Sequence, residues 1–234
     1  MLEALVHGKL SREIENMEDV LTSNVFGLFK YLAPGDAVLP FLAEAQDGVG
    51  RRPLDDLPAQ STVSYEFWPF WNNCQPHPGC EPDVVLEITR PSGDKLLVLV
   101  EAKYLSGKSG VGISQAGRMN DQLAREWHQL LIEADKADAE PYVAFLTAHY
   151  RYPRKAVQQS ADAYKRRHPN KPQPDYLWLS WRHLPGVCEK LATTASDARD
   201  KAVYADLARL MGRLDLRFFQ GFPSVTPGSW QWSF

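Results

Sequence analysis

EPDVVLEITRPSGDKLLVLVEAK, residues 81–103, decides how this chain is read. Asp83 to Ile88 is apolar and rich in β-branched residues, Arg90-Pro91-Ser92-Gly93-Asp94 has turn composition, and Lys95 to Lys103 is a second apolar run. Two such runs about a Pro/Gly turn predict an antiparallel hairpin. A turn centred near Ser92-Gly93 sets residue 83 opposite residue 102, so Asp83, Glu101 and Lys103 gather at one end of the sheet. Glu101 and Lys103 are two apart on one strand and share a face. Two carboxylates and a lysine at the mouth of a buried hairpin are costly to desolvate unless they are paired or bind a metal. Such a hard-oxygen site suits Mg²⁺, which takes one or two carboxylates plus waters and phosphate oxygens. The lysine ammonium would hold, or help deprotonate, an attacking water.

The surrounding sequence supplies helices. Leu10, Ile14, Met17, Leu21, Val25, Leu28 and Leu32 recur at spacings of three and four, which predicts a helix with Ser11 as N-cap and Pro34-Gly35 as its stop. Residues 34–60 read as loop with a short helical piece around 38–46, and residues 62–71, TVSYEFWPFW, as a strand. A helix is expected from about 114 to 136, with Leu123, Trp127, Leu130 and Ala134 on one face. Tyr142–Thr147 and Tyr176–Trp181 read as strands, 153–167 as a basic helix, and Ser196 as the cap of a last helix running to about 217. The fold class is therefore α/β, a mixed sheet with helices on both faces. It forms a single domain over 1–220, followed by an irregular aromatic tail, 221–234. Trp68, Trp71, Trp127, Trp178 and Trp181 are expected to fill the core.

Composition narrows the class. The 234 residues are 44% hydrophobic and 24% charged, ordinary for a globular protein, and 26 basic against 29 acidic residues leave a net charge of −3. Three cysteines argue against a disulfide framework. The longest aliphatic run, Leu96 to Val100, is too short to span a bilayer, and MLEALVHGKL lacks the apolar segment of a signal peptide. A cytoplasmic protein with no membrane partner is expected. Bases cluster locally: Arg151, Arg154, Lys155, Lys165, Arg166 and Arg167 face a single acid, Asp162, within residues 151–168. A net-acidic protein can still touch phosphate through one such face.

Glu81-Pro82-Asp83, a spacer of seventeen residues, and Glu101-Ala102-Lys103 resemble the motif of the PD-(D/E)XK phosphodiesterase superfamily. The element order α-β-β-β-α-β over residues 10–147, extended here by a C-terminal α-β-α, is similar to that superfamily's restriction-endonuclease-like core. The motif departs in placing glutamate before the proline. The resemblance implies a nuclease that hydrolyses DNA phosphodiesters with Mg²⁺ or, in its place, Mn²⁺. It implies that Asp83 and Glu101 ligate metal, with the Ala102 carbonyl as a further ligand, and that Lys103 serves the nucleophilic water. Glu18 would support a second metal or the lysine, and Gln122 would orient the lysine or the phosphate; Glu13 and Gln115 compete for these two roles. Restriction, phage defence or repair is the implied setting. DNA backbone contacts are expected from Lys108, Ser109, Arg151, Arg154, Lys155, Arg166 and Arg167. The aromatic tail, with Phe222, Trp230, Trp232 and Phe234, would pack on this domain, on a second copy or on a partner protein.

Rival readings are few. A nuclease-like fold without turnover, serving as a nucleic-acid-binding or scaffold subunit, would share the same elements. Ala102 to Ser109, AKYLSGKS, resembles a phosphate-binding loop with alanine for its first glycine, but neither later strand ends in the aspartate that would hold Mg²⁺. Cys74, His77 and Cys80 offer three soft ligands where structural zinc wants four. No G-x-S-x-G sequence is present to suggest acyl transfer.

Overall fold

The computed structural model describes residue 7 and residues 17–72, 79–105 and 121–219. Their core is a five-stranded mixed sheet in the order β1-β2-β3-β4-β5. The strands are β1 (Thr62–Phe67), β2 (Val84–Thr89), β3 (Lys95–Lys103), β4 (Ala139–Thr147) and β5 (Leu177–Ser180). β1, β2 and β3 form an antiparallel meander, while β4 and β5 run parallel to β3. The chain is thus α/β with a mixed sheet, as the alternation of elements predicts.

The helices are α1 (Glu18–Phe29), α2 (Val38–Leu42), α3 (Gln122–Ala137), α4 (Arg154–Arg167), α5 (Leu184–Thr194) and α6 (Ala198–Arg213). One face of the sheet packs against α1, α2, α5 and α6 through Val25, Phe26, Phe41, Val187 and Leu207. The other packs against α3 and α4 through Leu123, Trp127, Leu130, Val157 and Tyr164. Alternation along β3 divides the two: Leu96, Val98, Val100 and Ala102 join the first cluster, Leu97 and Leu99 the second. Among the described residues, no helix is long and apolar enough to cross a membrane.

Several boundaries differ from the sequence expectations. Met17 is extended and half exposed, so α1 starts at Glu18, where Glu18 and Asp19 favour the positive helix terminus; Ser11 lies outside the described residues. α3 starts at Gln122, with the Asp121 side chain accepting from the Ala124 N–H; residues 114–120 of the expected helix lie outside the description. The first strand stops at Phe67, because Trp68 adopts φ 50 and Pro69 follows. Trp68 is 36% exposed, whereas the other four tryptophans named for the core are buried. Helix α5 was not expected, since Pro185-Gly186 reads as a breaker. Proline is tolerated in a first helical turn, and Leu184, Val187, Cys188 and Leu191 carry the apolar spacing. The last helix is capped by Asp197 rather than Ser196 and ends at Arg213.

The hairpin also closes one residue tighter than expected. Thr89 pairs with Lys95 and Val84 with Val100. Arg90 and Asp94 close the turn, leaving three residues at the tip with Gly93 at φ 95, the left-handed position such a loop demands. Continuing that register sets Asp83 level with Glu101 rather than Ala102. Cross-strand partners share a face, so the one-residue correction puts Asp83, Glu101 and Lys103 on the same side of the sheet.

Candidate active site

β3 is buried along nearly its whole length and delivers Glu101 and Lys103 at its C-terminal end. Glu101 is 1% exposed and Asp83 7%. Asp83 Oδ2 accepts the Ala102 backbone N–H at 2.7 Å, which ties the start of β2 to the end of β3. Lys103 Nζ lies 2.6 Å from Glu101 Oε1 and 2.9 Å from Glu18 Oε1. It also donates to the Ala102 carbonyl at 2.9 Å. The second oxygen of Glu18 accepts the Tyr104 N–H at 2.9 Å, so the first turn of α1 grips both the lysine and the chain beyond it. From the first turn of α3, Gln122 Nε2 donates to Glu101 Oε1 at 2.5 Å. Glu18, Asp83, Glu101, Ala102, Lys103 and Gln122 therefore meet in one hydrogen-bonded cluster.

A further carboxylate belongs to it. Glu126 lies one helical turn beyond Gln122, is wholly buried, and faces the Glu101 carboxyl and the Gln122 amide. The sequence carried a signal for it: Glu126 falls three after Leu123 and four before Leu130, inside the apolar stripe of α3. Burial first, and then the Glu101 charge, push its pKa well above the ordinary carboxylate range, which favours the protonated form beside Glu101. Glu101 is itself raised, by burial working against the Lys103 charge. Asp83 is raised to about 7, by burial and by the Glu101 charge, which together outweigh the Ala102 N–H and Lys103. Lys103 shifts the other way: burial opposes its charge, but Glu101 and Glu18 outweigh burial and hold the ammonium above the ordinary lysine value. It is a fixed cation and hydrogen-bond donor.

Four carboxyl groups around one lysine leave a deficit of positive charge. Among the described residues, no amide, ammonium or hydroxyl group donates to Glu101 Oε2, although that oxygen is buried. The donors on offer are hard oxygens, from Asp83, Glu101 and the Ala102 carbonyl, which fit Mg²⁺ or Mn²⁺ and not a soft cation. Among the described residues, no group of three or more His, Cys, Asp or Glu side chains is close enough to hold a metal unaided. A two-carboxylate site completed by water and phosphate is the arrangement these residues fit.

The basic residues named from sequence are divided by the fold. Thr147 pairs with Lys103, so the chain leaving β4 emerges at the Lys103 end of the sheet. His149, Tyr150, Arg151, Arg154 and Lys155 there line an open cleft of about 570 Å³. Arg154 is anchored by a 3.0 Å bond to the Gly48 carbonyl. Arg166 and Arg167 sit at the other end of α4, some 20 Å along the helix from Arg154. Lys108, Ser109, Glu13, Gln115, Cys74, His77, the phosphate-loop reading that runs through residues 106–109, and the tail from residue 220 lie outside the described residues. Cys80 is buried, and its backbone pairs with that of Trp71.

No family model, no curated protein and no solved structure matches this chain.

Proposed function

We propose that this protein is a divalent-metal-dependent nuclease of restriction-endonuclease-like fold that hydrolyses DNA phosphodiesters. The observation that carries the reading is the convergence of Glu18, Asp83, Glu101, Lys103 and Gln122, from four separate elements, at the end of one buried strand. A structural ion pair needs neither the extra buried carboxylates nor their repulsion. The element order, a helix, the short α2, three antiparallel strands, a helix and a parallel strand, supports the reading.

Asp83 and Glu101 would hold the cation, together with the Ala102 carbonyl. The chemistry that Mg²⁺ supplies at such a site is polarisation of the phosphate and neutralisation of charge developing on it. Lys103, whose ammonium form Glu101 and Glu18 favour, orients a water for in-line attack and stabilises negative charge. Glu18 positions Lys103 by accepting from Nζ while its second oxygen fixes Tyr104. Gln122 fixes the rotamer of Glu101. Arg151, Arg154 and Lys155 supply backbone contacts at the same end of the sheet. A role in restriction, phage defence or repair would suit such an enzyme.

The test is incubation with plasmid and single-stranded DNA in Mg²⁺, Mn²⁺ and EDTA. Cleavage in either metal, absent in EDTA and lost in Asp83→Asn, is the expected result. DNA bound equally in metal and in EDTA, and never cut, would make the protein a binding subunit instead.

A further inference from the structure

Tyr150 is 61% exposed, three residues past the end of β4. One face of its ring is covered: the Arg182 guanidinium lies 3.7 Å from the ring centroid. Arg182 cannot easily move away. Its Nε donates to the Ala148 carbonyl at 2.9 Å, and its Nη1 to the Asp215 and Arg217 carbonyls at 2.6 and 2.9 Å. Phe218 meets the tyrosine ring edge-on, with centroids 6.2 Å apart. A flat aromatic is thus bolted in place from one side and left open on the rest. Beside it, Arg151, Arg154 and Lys155 line the open cleft, with no acidic residue among its described walls.

An exposed ring already held rigid can receive a flat partner with little further ordering cost. The charge around it selects a polyanion, and the bare ring selects a π-face. A nucleic-acid strand has both, and offers a base face only where bases are unstacked, in single strands or frayed ends. Because Thr147 pairs with Lys103 and Tyr150 follows by three residues, the two Cα atoms lie within about 16 Å, the reach of a few nucleotides.

We propose that Tyr150, backed by Arg182, is a stacking platform for an unpaired base of the DNA, and that Arg151, Arg154 and Lys155 hold the adjoining phosphates. The substrate class of the candidate active site is then single-stranded or frayed-end DNA. This rests on the nuclease reading for the word substrate, but the platform itself is a binding claim that stands or falls separately.

The experiment measures fluorescence anisotropy in EDTA, where no cleavage occurs, with a labelled single-stranded oligonucleotide and a blunt duplex of the same sequence. The single strand should bind at least tenfold more tightly. Tyr150→Ala should weaken it by about 5- to 150-fold, the worth of one stacked base, while Tyr150→Phe keeps affinity within about twofold. Tyr31→Ala, at a still more exposed ring that follows the end of α1 opposite Glu18, should change nothing. The exposed position of Tyr150 makes these variants foldable, and unchanged melting curves check it. Equal binding of duplex and single strand, or indifference to Tyr150→Ala, overturns the platform. So does a mononucleotide, dAMP, that binds as tightly as the oligonucleotide, since the cleft would then be a small-ligand site. Metal-dependent cleavage assayed in parallel separates the claims. Cutting with no role for Tyr150 leaves the nuclease and removes the platform; a working platform without cutting does the reverse.

Discussion

The two faces of the sheet differ in what they bury. Behind α1, α2, α5 and α6, the rings of Phe26, Phe29, Phe41 and Trp181 lie 6.0–6.4 Å apart, centroid to centroid, in edge, tilted and stacked contacts. All four are fully buried. Behind α3 and α4, the same strands bury Glu101, Glu126 and Gln129 among leucines and tryptophan. Gln129 Oε1 and the Tyr164 and Tyr176 hydroxyls there accept or donate no hydrogen bond. Each such group costs about 1–3 kcal/mol relative to a satisfied one. The apolar face carries such groups as well, Thr22 Oγ1 and Trp181 Nε1, so what sets the second face apart is the buried carboxyls of Glu101 and Glu126.

The largest expected effect lies on the apolar face. Phe26→Ala should cost about 3–5 kcal/mol of unfolding free energy, because the ring cluster cannot collapse around the gap. Chemical denaturation measures it, and a loss under 1 kcal/mol would mean the face is not the dominant support.

On the charged face, two substitutions that both lose activity should shift stability in opposite directions. Asp83→Asn should reduce metal-dependent cleavage by a hundredfold or more, on the order of 3 kcal/mol of barrier, as for other lost preorganised charge. Yet in EDTA it should melt at or above the wild-type temperature, since it removes a carboxylate that repels Glu101. Lys103→Ala should lose turnover comparably but also lower the melting temperature, because it strips Glu101 and Glu18 of their cation. A stabilised Lys103→Ala would refute the ion-pair account.

The pH dependence follows from Asp83. Its folded-state pKa, about 7, lies above the unfolded value near 3.8, so the folded state holds the proton more tightly. Stability from this group is complete below about pH 4 and is lost as pH rises through about 7. In EDTA the wild type should therefore weaken across that window, and Asp83→Asn should flatten the curve. Glu126→Gln mimics the protonated acid, so it should leave stability near neutral pH almost unchanged and improve it in alkali. A loss of several kcal/mol at pH 7 would mean Glu126 is ionised there.

The smallest effect separates the two ends of α4. Arg151→Glu with Lys155→Glu should weaken DNA binding and reduce its salt dependence clearly. Arg166→Glu with Arg167→Glu should do so only slightly, being a helix length away. Equal slopes would spread the DNA along the whole helix.

Residues 81–103 by themselves determined the hairpin, its Pro/Gly turn and the placing of Asp83, Glu101 and Lys103 at one sheet end, because alternation and turn chemistry are local properties of the chain. The apolar stripes of α1 and α3 were equally legible, and with them Glu18 and Gln122. Tertiary structure decided the rest. Gly93 fixed the register to the residue, and so the shared face of Asp83 with Glu101. The closeness of Glu126 to Glu101, and the pKa displacements it brings, depend on how α3 packs on β3, to which a helical period is blind. The parallel course of β4 beside β3 is what brings Tyr150 and Arg151 to the Lys103 end and leaves Arg166 and Arg167 far along α4. Spacing along a sequence records which residues share a face; only packing of one element on another sets which faces meet, and the charge of a buried group depends on that meeting.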